Sequence, residues 1–223
     1  MKLLALETAN EQCSVSIVDP TTTLFFQQDD RAKAQTQTIL PMIEQGLAQT
    51  KLELSGLTAI AFSCGPGSFS GVRINAAVTQ ALAWANDLPV IPVSTLQALA
   101  QAAFRELQLT EVTAVLDARM KEVYMASYQL DAQQIMQPVD QEKMLNYQDA
   151  AEYLKYSLVG SGAALIQPEL EQSKKINANA LDIAKIAGFL AQQKQWVDAE
   201  HALPVYLRDN AWKKLSEQGK AAN

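Results

Sequence analysis

The stretch Ser63–Arg73 concentrates the residue types that could hold an anion or activate a nucleophile. It reads Ser-Cys-Gly-Pro-Gly-Ser-Phe-Ser-Gly-Val-Arg, with three glycines and a proline between positions 65 and 71, and this predicts a tight turn. An apolar run precedes the turn and an apolar helix follows it, so free helix N–H groups would point into the loop. Such a loop suits an anion or a close backbone partner. The alternative is a strand-to-helix connection that binds nothing, and the spacing matches neither a P-loop nor a Rossmann fingerprint.

Four side chains of this stretch, and one histidine far from it in sequence, could act as a nucleophile, a base or an anion ligand. Cys64 would precede a helix N-terminus, which lowers a thiol pKa. The one histidine, His201, is distant in sequence, so a buried thiol is favoured over a Cys–His pair, and His201 is interpreted as a packing or rim residue. Ser68 and Ser70 fit helix caps better than a nucleophile elbow. Arg73 could meet a phosphate or anchor the loop to a carboxylate, and anchoring is favoured.

Two acids, Glu7 and Asp117, each follow an apolar run at the start of a polar tip. If the two halves of the chain mirror each other, both acids face one cleft, where paired carboxylates could hold a magnesium–phosphate unit. The alternative, which the pattern favours, is two solvated tip acids. Gly65 and Gly67 complete the set of candidate cofactor contacts, and Gly67 is expected to adopt a positive φ.

Composition excludes several classes of protein. The chain has 223 residues, is 48% hydrophobic and carries a net charge of −6, which argues against a primary nucleic-acid binder. Two cysteines form neither a disulfide framework nor a zinc site, and they fit a reducing, cytoplasmic compartment. A single histidine excludes a multi-histidine metal site, and no metal is expected. No apolar run approaches the roughly 18 residues of a membrane span.

The order of elements predicts an α/β protein with two related halves. Strand, polar tip and strand occur at residues 2–18 and again at 112–130, which indicates a weak structural repeat. A turn at Asp19-Pro20-Thr21 and an apolar run at 24–26 add a third strand to the first of these, which predicts an antiparallel meander. A helix that starts at the capping box Ser94-x-x-Gln97 connects the halves. We therefore predict an N-terminal lobe over 1–100 and a smaller lobe over 101–194, with residues 195–215 returning to the first lobe.

Two predicted helices, at about 36–49 and 71–85, carry more apolar residues than one buried face requires. The second is apolar all round and is expected to be buried all round. We predict that both contribute to one apolar patch that binds a partner; the alternative is that the second lobe covers them. The residues assigned to this patch are Leu40, Met42, Ile43, Gly46, Leu47, Val72, Arg73, Ala76, Ala77, Gln80, Ala83 and Trp84.

Six segments, in order along nearly the whole chain, together resemble the TsaB family, also called YeaZ. They are Leu3–Ala9, Thr38–Ile43, Gly65–Arg73, Val93–Leu96, Leu116–Tyr124 and Pro204–Arg208. The glycine loop and the Asp-Ala-Arg tip at 117–119 are the most specific of these motifs.

The resemblance implies an actin/Hsp70/sugar-kinase-like (ASKHA) fold with two lobes and mixed sheets. It also implies a non-catalytic, cytoplasmic subunit of the bacterial complex that makes threonylcarbamoyladenosine in tRNA. In that complex TsaB binds the catalytic paralogue TsaD, the ATPase TsaE joins the pair, and TsaC supplies threonylcarbamoyl-adenylate. The chain is then expected to form a homodimer when alone, to contact tRNA only through the complex, and to bind no cofactor tightly. Binding of ATP or ADP at the junction between the subunits of the complex is left as an alternative.

The residues agree with a non-catalytic role. Nucleotide-binding members of that fold carry Asp-x-Gly at the first tip, whereas this chain has Glu7-Thr8-Ala9 there and Asp117-Ala118-Arg119 at the second. The helix that supplies metal-binding histidines in TsaD has none here, and Gln35 stands where family members often have a histidine. The rival functions are an ATP-dependent small-molecule kinase or ATPase and an M22-type glycoprotease.

Overall fold

The first lobe is built on a five-stranded mixed sheet in the order β3-β2-β1-β4-β5. The computed structural model describes residues 1–31, 33–170 and 176–208. The strands of the sheet are β1 (Leu3–Glu7), β2 (Cys13–Val18), β3 (Thr23–Asp29), β4 (Ala59–Gly65) and β5 (Val90–Ser94). The first three form the expected antiparallel meander, and β4 and β5 extend it in parallel.

Helices cover both faces of this sheet, which explains why every residue of β1 and β4 is buried and most are apolar. α1 (Gln35–Thr50) and α2 (Phe69–Ala85) pack on one face. α1 begins at Gln35, so Pro41 lies inside the helix rather than in its first turn. A later helix covers the opposite face through Ile183, Ile186 and Ala187.

The second lobe repeats the strand plan of the first. β6 (Glu111–Arg119) and β7 (Glu122–Leu130) are antiparallel, and β7 also pairs with β8 (Met136–Pro138) and β9 (Lys143–Asn146). β10 (Ser157–Val159) lies parallel to β6, as β4 lies parallel to β1. The order β8-β7-β6-β10 therefore matches β3-β2-β1-β4 in direction, which confirms two related lobes with mixed sheets.

Among the described residues, three α-helices pack on the second sheet. α3 (Thr95–Leu107) follows Ser94, whose hydroxyl accepts hydrogen bonds from the N–H groups of Leu96 and Gln97, as predicted for the cap. The Gln97 amide donates instead to the Met136 carbonyl, so the reciprocal half of the capping box is not formed. α3 packs on one face of the second sheet, and α4 (Tyr147–Glu152) and α5 (Ala163–Ile166) pack on the other. None of the helices in the described ranges is long and apolar enough to cross a membrane.

The last α-helix among the described residues, α6 (Ala180–Gln192), crosses back to the first lobe. It packs on the first sheet, although the sequence places residues 180–192 in the second lobe. Its Asp182 pairs with Arg105 of α3 through two hydrogen bonds of 2.9 and 3.0 Å. After α6, the backbone N–H of Val197 donates to the carbonyl of Val90 at 2.8 Å. The boundary at residue 100 stays a prediction.

Candidate functional site

The glycine loop connects β4 to α2 as the sequence predicts. β4 ends at Gly65, whose φ of +112° is closed to most other residues. α2 begins at Phe69 behind Ser68, and the Ser68 hydroxyl accepts a hydrogen bond of 3.4 Å from the Gly71 N–H. Ser68 therefore caps the helix, and the loop presents a helix N-terminus beside the end of the central strands.

The loop is in contact with the tip that follows β1. The Ser68 N–H donates to the Ala9 carbonyl at 2.7 Å, and the Thr8 hydroxyl donates to the Gly71 carbonyl at 2.8 Å. A Cβ at Gly67 would lie 2.6 Å from the Ala9 oxygen, and one at Gly71 would lie 2.0 Å from the Thr8 oxygen. The glycines therefore allow a close backbone partner from the same chain.

Gly67 is required by close backbone packing rather than by a positive φ. The two described glycines with positive φ are Gly65 and Gly160, so the prediction of a positive φ at Gly67 is wrong. Gly67 lacks a side chain because the Ala9 backbone occupies that space.

Residues 203–208 approach the loop from another side. The Val205 N–H donates to the Cys64 carbonyl at 2.7 Å. A Cβ at Gly65 would lie 2.8 Å from the Val205 oxygen. The loop is therefore enclosed by two segments distant from it in sequence.

Glu7 is buried rather than solvated. It is fully inaccessible, and its Oε1 accepts a hydrogen bond of 2.6 Å from the Ala9 N–H. Oε2 has no hydrogen-bond partner among the described residues. Burial raises the pKa of Glu7 to about 7, although hydrogen bonding to Ser63 partly opposes the shift. The interpretation of Glu7 as a solvated tip acid is therefore wrong.

Asp117 is engaged by its own tip. Its Oδ2 lies 3.0 Å from Arg119 Nη1, and its Oδ1 accepts the Arg119 N–H at 2.7 Å. The Asp117 side chain is 23% exposed, and the Arg119 side chain is largely in solvent. The carboxylate contacts a cation of the same turn, which makes it a poor partner for a distant metal.

A buried amide that sequence reasoning missed links α2 to the sheet. Asn75 Nδ2 donates to the Leu6 carbonyl at 3.1 Å and to the carbonyl and hydroxyl oxygens of Ser63 at 3.2 and 2.8 Å. Asn75 is fully buried, as is Thr79 one turn later. Two polar residues spaced four apart on a largely apolar helix were the available signal.

The remaining candidate residues show no catalytic pairing. Cys64 is buried, its thiol donates to the Val93 carbonyl at 3.3 Å, and burial raises its pKa to about 12. The thiolate is therefore scarce at neutral pH. The Arg73 guanidinium lies 3.3 Å above the Phe69 ring, and no carboxylate of the described residues forms a salt bridge with it, so the carboxylate anchor stays a prediction. His201 is exposed beside Glu200.

The predicted patch on α1 and α2 divides into an outer and an inner part. Leu40 and Trp84 are exposed, at 53% and 71%, and Ala77 is exposed as well. Arg73, Leu47 and Gln80 are half-buried. The other six residues are buried, mostly against the first sheet, which corrects their assignment to a surface: Met42, Ile43, Gly46, Val72, Ala76 and Ala83.

α2 is consequently not buried all round. One side presents residues spaced three or four apart, which we call the outer stripe: Phe69, Arg73, Ala77, Gln80, Ala81 and Trp84. Apart from Arg73, the outer stripe carries no charge, and the second lobe does not cover it. A stripe with a single charged residue and two large exposed aromatic side chains is typical of an interaction surface.

Two lobes with the same strand plan, a glycine loop after β4 and a helix behind it define a protein of the actin/Hsp70/sugar-kinase-like class. A family model described as "TsaD: tRNA N6-adenosine threonylcarbamoyltransferase" matches residues 29–215.

Full-length relatives narrow this class. The Escherichia coli tRNA threonylcarbamoyladenosine biosynthesis protein TsaB is 38% identical, over 96% of this chain and 98% of its own length. The Haemophilus influenzae protein of that name is 34% identical, over 96% and 97%. The solved structure of YeaZ from Pseudomonas aeruginosa has a TM-score of 0.85 at 35% identity and covers 92% of this chain and 99% of its own. The chain belongs to the TsaB family.

Proposed function

We propose that this chain is a non-catalytic subunit in the biosynthesis of tRNA threonylcarbamoyladenosine, and that it binds and supports the catalytic paralogue TsaD. Its full-length relatives are named as biosynthesis proteins for that nucleoside. The single observation that carries the non-catalytic part is the enclosure of the glycine loop by the chain's own backbone.

The backbone contacts that enclose the glycine loop argue against nucleotide binding, because they occupy the groups that would bind phosphate. A helix N-terminus binds an anion through free N–H groups. Here the Ser68 N–H already donates to Ala9, and the space beside Gly67 and Gly71 holds the carbonyls of Ala9 and Thr8. A phosphate would have to displace this tip from the sheet, so the loop favours a structural role.

The outer stripe supports the partner-binding part of the proposal. It places Phe69, Ala77 and Trp84 on one solvent-facing side of α2, with Leu40 of α1 also exposed. Aromatic anchors among small residues suit a helix packed across an interface. TsaD binds here, the chain pairs with itself through the same surface when TsaD is absent, and TsaE joins the TsaD-bound pair.

Nucleotide binding tests the proposal against the kinase or ATPase alternative. Isothermal titration of the full chain with ATP and Mg²⁺ is expected to give no tight binding and no turnover. A nucleotide that binds only at the junction with TsaD gives heat only when TsaD is present. Tight binding with ATP hydrolysis by the chain alone would support the rival function instead.

The glycoprotease alternative lacks an activated nucleophile among the described residues that sequence analysis singled out. Cys64 is buried with a raised pKa, and Ser68 caps α2. TsaD incubated with this chain is expected to stay intact on a denaturing gel. Fragments of TsaD that accumulate with time would contradict the proposal.

A further inference from the structure

Residues 203–208, which we call the strap, run between the two lobes. On the first-lobe side, the Val205 N–H donates to the Cys64 carbonyl at 2.7 Å. The missing side chain of Gly65 lets the Val205 oxygen approach to 2.8 Å from the position of a Cβ. Arg73 of α2 lies with its guanidinium carbon 5.4 Å from the centre of the Tyr206 ring. The strap is therefore attached to the end of β4 and to the start of α2.

The last residue of the strap is attached to the second lobe. Arg208 Nη2 lies 2.6 Å from Glu122 Oε2 and donates to the Ala118 carbonyl at 3.1 Å. Its Nη1 contacts the Met120 sulfur at 3.8 Å. No donor is aligned with Glu122 Oε2 among the described residues, so the Glu122 contact is an ion pair rather than a directed hydrogen bond. One guanidinium thus holds the β6–β7 tip at its carbonyl and at its carboxylate.

Both partners of this ion pair are partly shielded from solvent. The side chains of Arg208 and Glu122 are 21% and 27% exposed, whereas Arg119 in the ion pair on the same tip is 80% exposed. Exposed ion pairs are worth little, whereas removing one partner of a shielded pair leaves an uncompensated charge and costs more. The strap also forms one wall of a cavity of about 620 Å³ whose other wall comes from β7 and β9.

We infer that the strap is an interlobe clamp: it fixes the second lobe against the first in one orientation. Lobes joined through a helix can rotate about it unless further attachments oppose the motion. Here α3 connects the lobes, Ser94 at its start is bonded to Glu142, and Arg105 of α3 pairs with Asp182 of α6 on the first sheet. The strap supplies a further attachment, because it spans from Cys64 to the tip at 118–122.

The clamp gives a role to residues that the turn between β4 and α2 does not by itself require. Gly65 permits the approach of the strap, and Arg208 and Glu122 join its end to the second lobe. A rigid two-lobed body presents its surfaces in one arrangement, which lowers the entropy lost on binding a partner.

The distance between the lobes tests the clamp directly. Spin labels on Gln192→Cys of α6 and Glu152→Cys of α4 report on the first and second lobe, and both positions are exposed. The native thiols, Cys13 and Cys64, are 1% and 6% exposed and stay unlabelled. Pulsed dipolar spectroscopy on the full chain, diluted with unlabelled chain, is expected to give one narrow distance distribution.

The variant Arg208→Gln is then expected to broaden or shift that distribution, because it removes the charge that meets Glu122. Arg119→Gln is the matched control: it removes an exposed arginine from the same tip and should leave the distribution narrow. A broad distribution in the parent chain, or an unchanged one in Arg208→Gln, would overturn the inference.

Hydrogen exchange provides a second readout that does not depend on labels. In Arg208→Gln, amides at 118–122 and 203–208 are expected to exchange at least about tenfold faster, while those of β1 and β4 keep their protection. Glu122→Gln removes the other partner of the pair and should reproduce this pattern if Arg208→Gln folds poorly. Uniformly faster exchange in both variants would show a general loss of stability and would contradict a clamp.

Discussion

A Cβ atom on Gly71 would lie 2.0 Å from the carbonyl oxygen of Thr8. The first turn of α2 and the tip after β1 are therefore packed backbone to backbone. This contact encloses the glycine loop, and it depends on the absence of one methyl group.

Replacement of that glycine should be costly. Gly71→Ala is expected to lower the free energy of unfolding by about 3 kcal/mol or more, the upper end of the overpacking range, because backbone atoms must move to admit the methyl. Chemical denaturation measures this loss. Gly188→Ala in α6 is the control: nothing beyond its own helix lies within 4 Å of the place that the added methyl would take, and helix propensity predicts a gain of about 0.5–1 kcal/mol. Equal stability of Gly71→Ala and the parent chain would contradict the contact.

The buried carboxyl of Glu7 gives stability a dependence on pH. Its pKa is raised from 4.5 to about 7 in the folded chain, so the folded state binds this proton more tightly than the unfolded state. The stability present below pH 4.5 should fall as the pH rises through 7, by roughly 3 kcal/mol at most, since one pKa unit corresponds to about 1.4 kcal/mol.

The variant Glu7→Gln tests this dependence, because the amide stays neutral. Denaturation between pH 4.5 and 8 should show a smaller fall in stability for Glu7→Gln than for the parent chain. Part of the fall should remain, since burial also raises the pKa of Glu142 and Asp182. Glu44→Gln, at an exposed position of α1, should behave like the parent. Identical pH profiles for Glu7→Gln and the parent would refute the assignment.

Much of the fold could be predicted from local patterns. Alternation and turn residues located the meander of the first lobe, and the glycine-rich spacing located the connection between β4 and α2. The capping box at Ser94 located the start of α3. These features depend on neighbours in sequence, which is why the sequence reveals them.

The burial of Glu7 could not be predicted in this way. Its environment is set by Ser63, some 56 positions later, and by a loop that folds over the tip. In the same way, α2 is apolar on its solvent-facing side, so its hydrophobic pattern does not distinguish the buried Ala76 from the exposed Ala77. The pattern identifies a surplus of apolar residues but not which of them the sheet covers.

The net charge of −6 limits what the chain can do with tRNA by itself. Phosphate contacts require clustered cations, so the isolated chain should give no gel shift with tRNA below about 1 µM at physiological salt. Binding is expected when TsaD is added. A submicromolar shift by the chain alone would contradict an indirect role in tRNA recognition.

Substitutions in the exposed outer stripe can test the interface with TsaD, whereas substitutions at the buried residues of α2 cannot. Ala76 is only 4% exposed, so a charge placed there would unfold the chain rather than report on an interface. Trp84 is 71% exposed, and Trp84→Glu should change the free energy of unfolding by less than about 0.5 kcal/mol. Trp196→Glu, at a tryptophan 44% exposed beyond α6, is the matched control.

The central claim is that the outer stripe of α2 binds TsaD. The affinities of the parent chain, Trp84→Glu and Trp196→Glu for purified TsaD test this claim most directly. The parent chain and Trp196→Glu are expected to bind TsaD equally, and Trp84→Glu is expected to bind at least about tenfold more weakly, because a charge would be buried in the contact. Titration calorimetry measures all three. If Trp84→Glu binds as tightly as the parent, the interface lies elsewhere; if the folded parent chain does not bind TsaD at all, this chain is not the partner-binding subunit that we propose.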